Sequence, residues 1–418
     1  MKKKKTVRTT RAVFFCRHMD ILFLSNVLPF PLDAGPKLRS YYVLRYLAQF
    51  HRVTLLAHTR ASDTQAALDH MRSFCHAVVP VPIRRSRARD AAFMLTSFAR
   101  AKSFLILRDD LPEMRAAIAS VTAKQHFDAV HADQLSTAHY ALQVSNTQHV
   151  LDQHNAVWTI VERLARNETL MPKRWVMERE AQLLKQHEAA MGQTFDRVIT
   201  VTAQDRQALE FPDAPTRAPM LTIPICIDTS ETPALARHPH PKHIACVGGM
   251  FYPPNADGVL WFAREILPRI WAEFPDTKFF VVGTRPTAEL VQLGERDARI
   301  VVTGYVQDTT PILQETAAFV VPLRAGGGMR VKILDAWARA LPIVTTTIGC
   351  EGISVRQEEN ALIADTPDEF ARAVMRLRRE RALGEQIARA GRAWVQANYD
   401  WRTVYRAFDA VYPHSARK

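Results

Sequence analysis

RAGGGMRVKILDAWARALPIV, residues 324–344, sets three consecutive glycines ahead of an amphipathic run and closes on a short apolar, β-rich segment. The pattern predicts a loop, a helix and a strand. Glycines at 326, 327 and 328 let a backbone approach an anion closely, and the first free N–H groups of the following helix, with the helix dipole, favour negative charge there. Arg330 and Lys332 follow at once, and either can neutralise a departing diphosphate. Lys332 is the better placed of the two, because it lies three residues before Asp335 on a neighbouring part of the same helical face. Asp335 falls about two helical turns after the last glycine and can hold a ribose. The loop with its helix therefore reads as a nucleotide-diphosphate cradle.

Working outward, short β-rich runs alternate with longer helical ones in both directions. ILFLS from residue 21, VTLLAH, AVVPV, DAVHA near 130, HVLDQ near 150 and RVITVT from 197 form one series. HIACVGG, KFFVVG, RIVVTGYV, AAFVVPL and LPIVTT form another. Such alternation means parallel sheets covered by helices, an α/β class. Residues 226–243, rich in Pro, Thr and His and without periodicity, read as the linker between a first domain over 19–225 and a second over 244–398. Two Rossmann-like halves of this size place a ligand cleft between the carboxyl ends of their sheets. At 418 residues the chain has room for two such cores.

Composition narrows the function classes. The formal net charge is +13, but seven of these charges lie in the acid-free residues 1–18, leaving +6 for the rest. That segment reads as a basic extension, either disordered or ahead of the true start. No stretch approaches the roughly 18 uninterrupted apolar residues of a membrane span, so the expected location is cytoplasmic. Five scattered cysteines without C-x-x-C spacing read as reduced core thiols. The prolines interleaved in HPHPKH (238–243) and the absence of a fourth ligand argue for a linker rather than zinc, and Asp109 with Asp110 reads as a helix-start cap, so no metal is assigned. No nucleic-acid motif accompanies the charge, and no G-x-G-x-x-G follows the first strand.

The second half resembles glycosyltransferase family 4, a retaining, nucleotide-sugar-dependent family with the GT-B fold. The resemblance rests on VGGMFYPPNADGVLWFAREILPRI (247–270), VVGTRP, VTGYVQD, the glycine-rich helix and ARAGRAWVQANYDWRTVYRAFDAVY (388–412), in that order. It implies two Rossmann-like domains facing each other, with residues 399–418 crossing back onto the first. It also implies donor contacts at Gly248, Gly304, Gly326, Gly327, Gly328, Met329, Arg330, Lys332 and Asp335. The family's Glu, seven residues, Glu element reads here as Gly327 and Asp335. Glycine cannot contact the donor sugar as the first Glu does, and the backbone N–H groups of Gly327, Gly328 and Met329 are the available substitutes.

In the first half, LSNVLPFPLDAGPKLRSYYVL (24–44) resembles the family's first strand, loop and helix, with Gly35 at the helix start facing donor phosphate. Asp133 in VHADQ and His154 in VLDQHN end strands where the family keeps its polar chemistry. Asp133 is expected to stabilise charge developing on the sugar or to orient the acceptor hydroxyl, and His154 to bind a donor-sugar hydroxyl. His131 is expected on the sheet interior, and Glu162 and Arg163 as solvated helix charges. The implied activity is transfer of a sugar from a UDP- or GDP-sugar to a hydroxyl of a lipid-linked or polysaccharide acceptor, in cell-surface polysaccharide or glycolipid assembly, with no cofactor. Two alternatives stand beside it: a non-catalytic nucleotide-sugar sensor or assembly protein, and a nucleotide-sugar epimerase of the same architecture. Arg84, Arg85, Arg87 and Arg89, ahead of AAFMLTSFARAKSFLIL, fit either a peripheral contact with the inner leaflet or a core helix beside a basic loop.

Overall fold

The computed structural model describes residues 18–33, 35–83, 86–217 and 219–414. The basic segment 1–17 and the arginines at 84 and 85 lie outside the described residues. Seven parallel strands form the first sheet: β1 (Asp20–Ser25), β2 (Arg52–Thr59), β3 (Ala77–Pro82), β4 (Ala129–Asp133), β5 (Gln148–Gln153), β6 (Arg197–Thr200) and β7 (Leu221–Thr222), in the order β3-β2-β1-β4-β5-β6-β7. Six parallel strands form the second: β8 (His243–Val247), β9 (Phe279–Val282), β10 (Ile300–Gly304), β11 (Thr316–Val321), β12 (Ile343–Thr345) and β13 (Leu362–Ile363), in the order β10-β9-β8-β11-β12-β13. In each sheet the order reverses beside the first strand, between β1 and β4 and between β8 and β11. Such switch points open a crevice at the carboxyl ends of the strands.

The strands are near-continuous apolar runs, as expected where helices cover both faces. Ile21 to Leu24 on β1 and Ala318 to Val321 on β11 are all buried. After the second domain the chain returns to the first. Trp401, Tyr405, Phe408, Val411 and Tyr412 pack into the core of the first sheet with Phe23, Tyr42 and Leu44. His131, fully buried, stacks on Phe23 with ring centroids 4.3 Å apart and meets the Tyr412 hydroxyl at 2.8 Å, on the sheet interior. The helical run after β8 holds a π-turn at Phe262–Ile266, just before Pro268. Proline has no N–H to continue the ladder, and a wider turn accommodates it.

The polar stretch after β5 forms two helices, Val157–Arg166 and Met171–Thr194. The long one organises its neighbours through buried carboxylates. Glu180 accepts from the backbone N–H groups of Phe104 and Leu105, each at 3.0 Å, and so caps the helix Phe104–Asp109. Glu188 accepts from Val157 N at 2.9 Å and Trp158 N at 3.1 Å, and Asp205 from Ala156 N at 2.9 Å. The helix Val157–Arg166 has no side-chain cap of its own, so these two carboxylates satisfy its first N–H groups from outside.

Burial pushes the Glu188 carboxyl from 4.5 up to about 8, and its neighbour Asp205 adds to the shift. Between these values the folded chain holds a proton that the unfolded chain has released, so this site's contribution to stability falls as pH rises from 4.5 to 8. Glu188→Gln removes that dependence. Thermal unfolding of both proteins should show the variant gaining on the wild type between pH 5 and pH 8, by on the order of 1–3 kcal/mol. Parallel curves across that range would rule the account out.

Candidate functional site

The register of the first sheet aligns three polar strand ends at its switch point. Ser25 pairs with Asp133, and Asp133 with Asp152. Asp133 is fully buried and accepts from Ser25 Oγ at 2.8 Å and Ser40 Oγ at 2.7 Å, while its second oxygen lies 2.9 Å from His154 Nε2. That last contact is a close approach rather than an aligned hydrogen bond, and neither His154 ring nitrogen has a hydrogen-bond partner among the described residues. Asp133 is thus closed off from solvent beside His154 rather than exposed in the cleft. Asp152 binds Arg39 through a two-pronged contact, with Nε at 3.0 Å and Nη2 at 2.7 Å. The guanidinium beside it holds the Asp152 carboxyl below the usual carboxylate range despite its burial.

The glycine-rich loop reaches across to these strand ends. Gly326 and Gly328 have φ of +117° and +79°, conformations that side chains with a Cβ rarely adopt. A Cβ on Gly328 would also collide with the Asn155 side chain, next to His154. A Cβ on Gly327 would stand 3.3 Å from Ile160 and 3.7 Å from Arg163 Nη1. Arg163 donates to Gly326 O at 3.1 Å and pairs with both carboxylate oxygens of Glu351 at 3.0 and 3.1 Å. Arg163 is therefore more than a solvated helix charge: its side chain is 47% exposed, yet its guanidinium joins the two domains, because Glu188 and Asp205 aim its helix at the loop. Glu162 pairs along its own helix with Arg166.

Beyond the glycines the helix runs over Val331–Ala338, leaving Met329 and Arg330 in the loop. Arg330 is 7% exposed, donates from Nη1 to Gly327 O at 2.6 Å, and leaves Nε and Nη2 without a hydrogen-bond partner among the described residues. Lys332 donates to Asn255 Oδ1 at 2.9 Å, and Asn255 is held by the Gly249 carbonyl, also at 2.9 Å. A Cβ on Gly248 would fall 2.8 Å from the Lys332 ammonium, so the end of β8 is shaped to that cation. Among the described residues neither Arg330 nor Lys332 forms a salt bridge. Burial lowers the pKa of both, and for Lys332 the nearby Arg330 charge lowers it further. Two desolvated cations without a carboxylate are costly unless an anion joins them.

Gly35, at the start of the helix Gly35–Leu47, would place a Cβ 3.5 Å from Val331, so the first turns of two helices from different domains meet here. Both dipoles add to the positive potential. Met329 is buried in a core cluster with Val201 and Ile225 of the first domain, leaving its backbone to the loop. Asp335 lies on the flank of its helix, its side chain 47% exposed, and accepts from Arg339 at 2.9 Å. Gly304 ends β10 at the outer edge of the second sheet, two strands from Gly248, and is not brought to the cations. An open cavity of about 570 Å³ adjoins the loop, lined from both domains by Arg163, Arg166, Asn167, Gly326 and Glu351. Asp109 ends the helix Phe104–Asp109, and Asp110 follows it, bound to Arg115 at 2.6 and 2.8 Å. Among the described residues no group of three or more His, Cys, Asp and Glu side chains is arranged to hold a metal ion. Cys75, Cys226, Cys246 and Cys350 are free and buried, and Cys16 lies outside the described residues.

Residues 241–380 match the family model of glycosyl transferases group 1. The chain is 21% identical over 399 residues, 92% of its own length and 97% of the other's, to an uncharacterized 44.6 kDa protein in the cps region of Klebsiella pneumoniae. Its structure is similar to Anabaena HepE in complex with UDP and glucose, with a TM-score of 0.67, 13% identity, and 94% and 99% of the two chains covered. It is likewise similar to sucrose-phosphate synthase from Thermosynechococcus elongatus, with a TM-score of 0.67, 17% identity, and 94% and 98% covered. The two facing Rossmann-like domains form a GT-B fold, and its second half carries a glycosyl transferases group 1 domain, the domain of a sugar-transferring enzyme.

Proposed function

We propose that the chain is a retaining glycosyltransferase that takes a sugar from a UDP- or GDP-sugar and passes it to an acceptor hydroxyl in cell-surface polysaccharide or glycolipid assembly, acting in the cytoplasm. The observation that carries this reading is the buried Arg330 beside the half-buried Lys332, neither with a carboxylate partner among the described residues, where two helix N-termini meet. A diphosphate fits that charge, and its departure is stabilised by the same groups, so no metal or cofactor is required. The presence of UDP and glucose in the HepE structure supports a nucleotide-sugar donor. With the diphosphate at Arg330 and Lys332, Asp335 receives the ribose, and the donor sugar lies toward Gly327, Gly328 and His154. Asp133 keeps His154 oriented as it meets a sugar hydroxyl.

A second reading is favoured by one feature. Gly327 supplies no carboxylate, and Ile160 and Arg163 occupy the space beside it, which fits a protein that binds a nucleotide-sugar without turning it over. Donor hydrolysis separates the two: slow release of free sugar, abolished by Asp335→Asn, supports the transferase. Tight binding with no turnover under any acceptor would favour the sensor.

Lys332→Met should raise the melting temperature of the ligand-free protein, because a desolvated cation is removed, and abolish the upward shift that a nucleotide-sugar produces. A panel of UDP-, GDP- and ADP-sugars read by thermal shift will identify the donor class, and a variant that keeps the wild-type shift would refute the diphosphate assignment. His154→Ala should leave that shift intact while lowering donor hydrolysis on the order of 10- to 100-fold. If the rate does not change, His154 has no part in handling the sugar.

A further inference from the structure

Two cavities adjoin the glycine loop, the open one of about 570 Å³ and a narrower one of about 50 Å³, and Glu351 lines both. Asp205 is the other acid of the narrow cavity, and it is already committed. It is buried, its Oδ1 accepts from Ala156 N at 2.9 Å, and its Oδ2 accepts from the Thr202 hydroxyl at 2.6 Å. Glu351 is bound differently. Each of its oxygens accepts one bond, both from Arg163, at 3.0 and 3.1 Å, and its side chain is 25% exposed. An ionised carboxylate offers about four lone-pair positions, so each oxygen keeps one for a further donor.

The backbone fixes where this carboxylate starts. Glu351 follows the short 3-10 turn Ile348–Cys350 after β12, with φ of −54° and ψ of 133°, and Gly352 has φ of +80°. Ile353 N donates to Cys350 O at 3.1 Å, so residues 350–353 fit a type II turn with glycine where a positive φ is needed. A Cβ on Gly352 would stand 2.8 Å from Thr202 of the first domain and 3.5 Å from Met329 Cα, which wedges the turn between that domain and the loop. Thr346 Oγ1 accepts from Gly349 N at 2.8 Å and donates to Leu323 O, tying the turn to the chain just ahead of the glycines. Arg163 then fixes the tip of the side chain. Its Nη1 donates to Glu351 and to Gly326 O, and stands 3.7 Å from where a Cβ on Gly327 would be. The Glu351 carboxylate therefore lies one guanidinium nitrogen away from the side-chain space that Gly327 leaves.

We propose that Glu351 is the carboxylate that receives hydroxyl groups of the donor sugar, and that Arg163 is the residue that positions it. This rests on the donor site proposed above, with the diphosphate at Arg330 and Lys332 and the sugar toward Gly327 and Gly328. The carboxylate that Gly327 does not supply arrives from residue 351. Neutral hexoses carry their hydroxyls in adjacent pairs, and a carboxylate with one open acceptor on each oxygen matches two neighbouring hydroxyls. Bonds to a charged acceptor are about twice as strong as bonds between neutral groups, so the contact separates a sugar with both hydroxyls from one that lacks either. The two bonds from Arg163 limit rotation of the carboxylate and keep its free lone pairs aimed into the cavity.

Wild type, Glu351→Ala and Glu351→Gln are compared with UDP and GDP and with the conjugates UDP-glucose, UDP-galactose and GDP-mannose. Affinity for the nucleoside diphosphate should stay within about twofold, since other residues hold that part of the donor. Donor hydrolysis, read as kcat/KM on the conjugate the wild type accepts, should fall about 10- to 100-fold in Glu351→Ala and less in Glu351→Gln, which keeps one acceptor. On monodeoxy donors lacking either contacted hydroxyl, the gap between wild type and Glu351→Ala should shrink at least about twofold. Arg163→Met should reproduce most of the loss, Arg163→Lys should recover part of it, and Arg163→Met should add nothing to Glu351→Ala. Unchanged hydrolysis, an equal gap on every monodeoxy donor, or a parallel loss of nucleoside diphosphate affinity would each overturn the assignment; the last would leave the Arg163 to Glu351 pair as a strut between domains. If the wild type binds the conjugates and hydrolyses none, the transferase reading falls alone. Glu351→Ala should then still weaken the conjugate by about tenfold or more against an unchanged nucleoside diphosphate, and equal affinities would sink the Glu351 assignment as well.

Discussion

The guanidinium of Arg39 holds the first domain together at the point where the site begins. It is completely buried, and its three nitrogens reach Asp152 on β5 and the carbonyls of Ile223 and Pro224, where the chain leaves the first sheet. The ring of Phe408, from the segment that returns after the second domain, lies 6.0 Å from it. A buried pair of this kind adds little net stability over an apolar substitute, yet removing one partner costs about 3–5 kcal/mol because the other is left as a bare charge. The pair therefore acts as a positional lock. It sets the end of β5, and with it His154 and Asn155, against the helix that starts at Gly35.

From that lock the geometry of the cleft follows by contact. Asn155 leaves room only for a glycine at 328, and Glu188 and Asp205 hold the helix that carries Ile160 and Arg163 against Gly327 and Gly326. The loop is thus shaped from the first domain as much as from its own. The cations are left unmatched inside this seam: Arg330 gives one nitrogen to Gly327 O, and Lys332 has Asn255 as its hydrogen-bond partner. A protein interior tolerates such charges where a ligand completes them.

Much of this was legible before the fold. Alternating β and helical runs predict two parallel sheets with a cleft at their carboxyl ends, whereas the strand orders that place both switch points appear only in the fold. The glycine triplet and its two basic residues mark an anion cradle by local chemistry alone. Asp133 and His154 are recognisable as strand ends, but their division of labour is not, since it depends on Ser25 and Ser40 arriving from other elements. Asp152 stands two residues before His154 in the same quoted run, yet nothing in its local pattern distinguishes a carboxylate that meets a buried arginine from one that meets water. Arg163 shows the same limit in reverse: a basic residue on a helix reads as solvated until its partner at 351 is seen beside it.

The sequence by itself determined the class of fold, the place of the phosphate-binding loop and the residues able to carry charge there. Those properties come from hydrophobic period, glycine and the spacing of charges along one helix, all local along the chain. Tertiary structure alone decided which charges are paired and which are left for a ligand. It also decided which carboxylates are buried as helix caps, and which line the cleft. Each of these depends on groups far apart in sequence meeting at hydrogen-bond or van der Waals distance, where burial raises the cost of an unmatched charge from negligible to several kcal/mol.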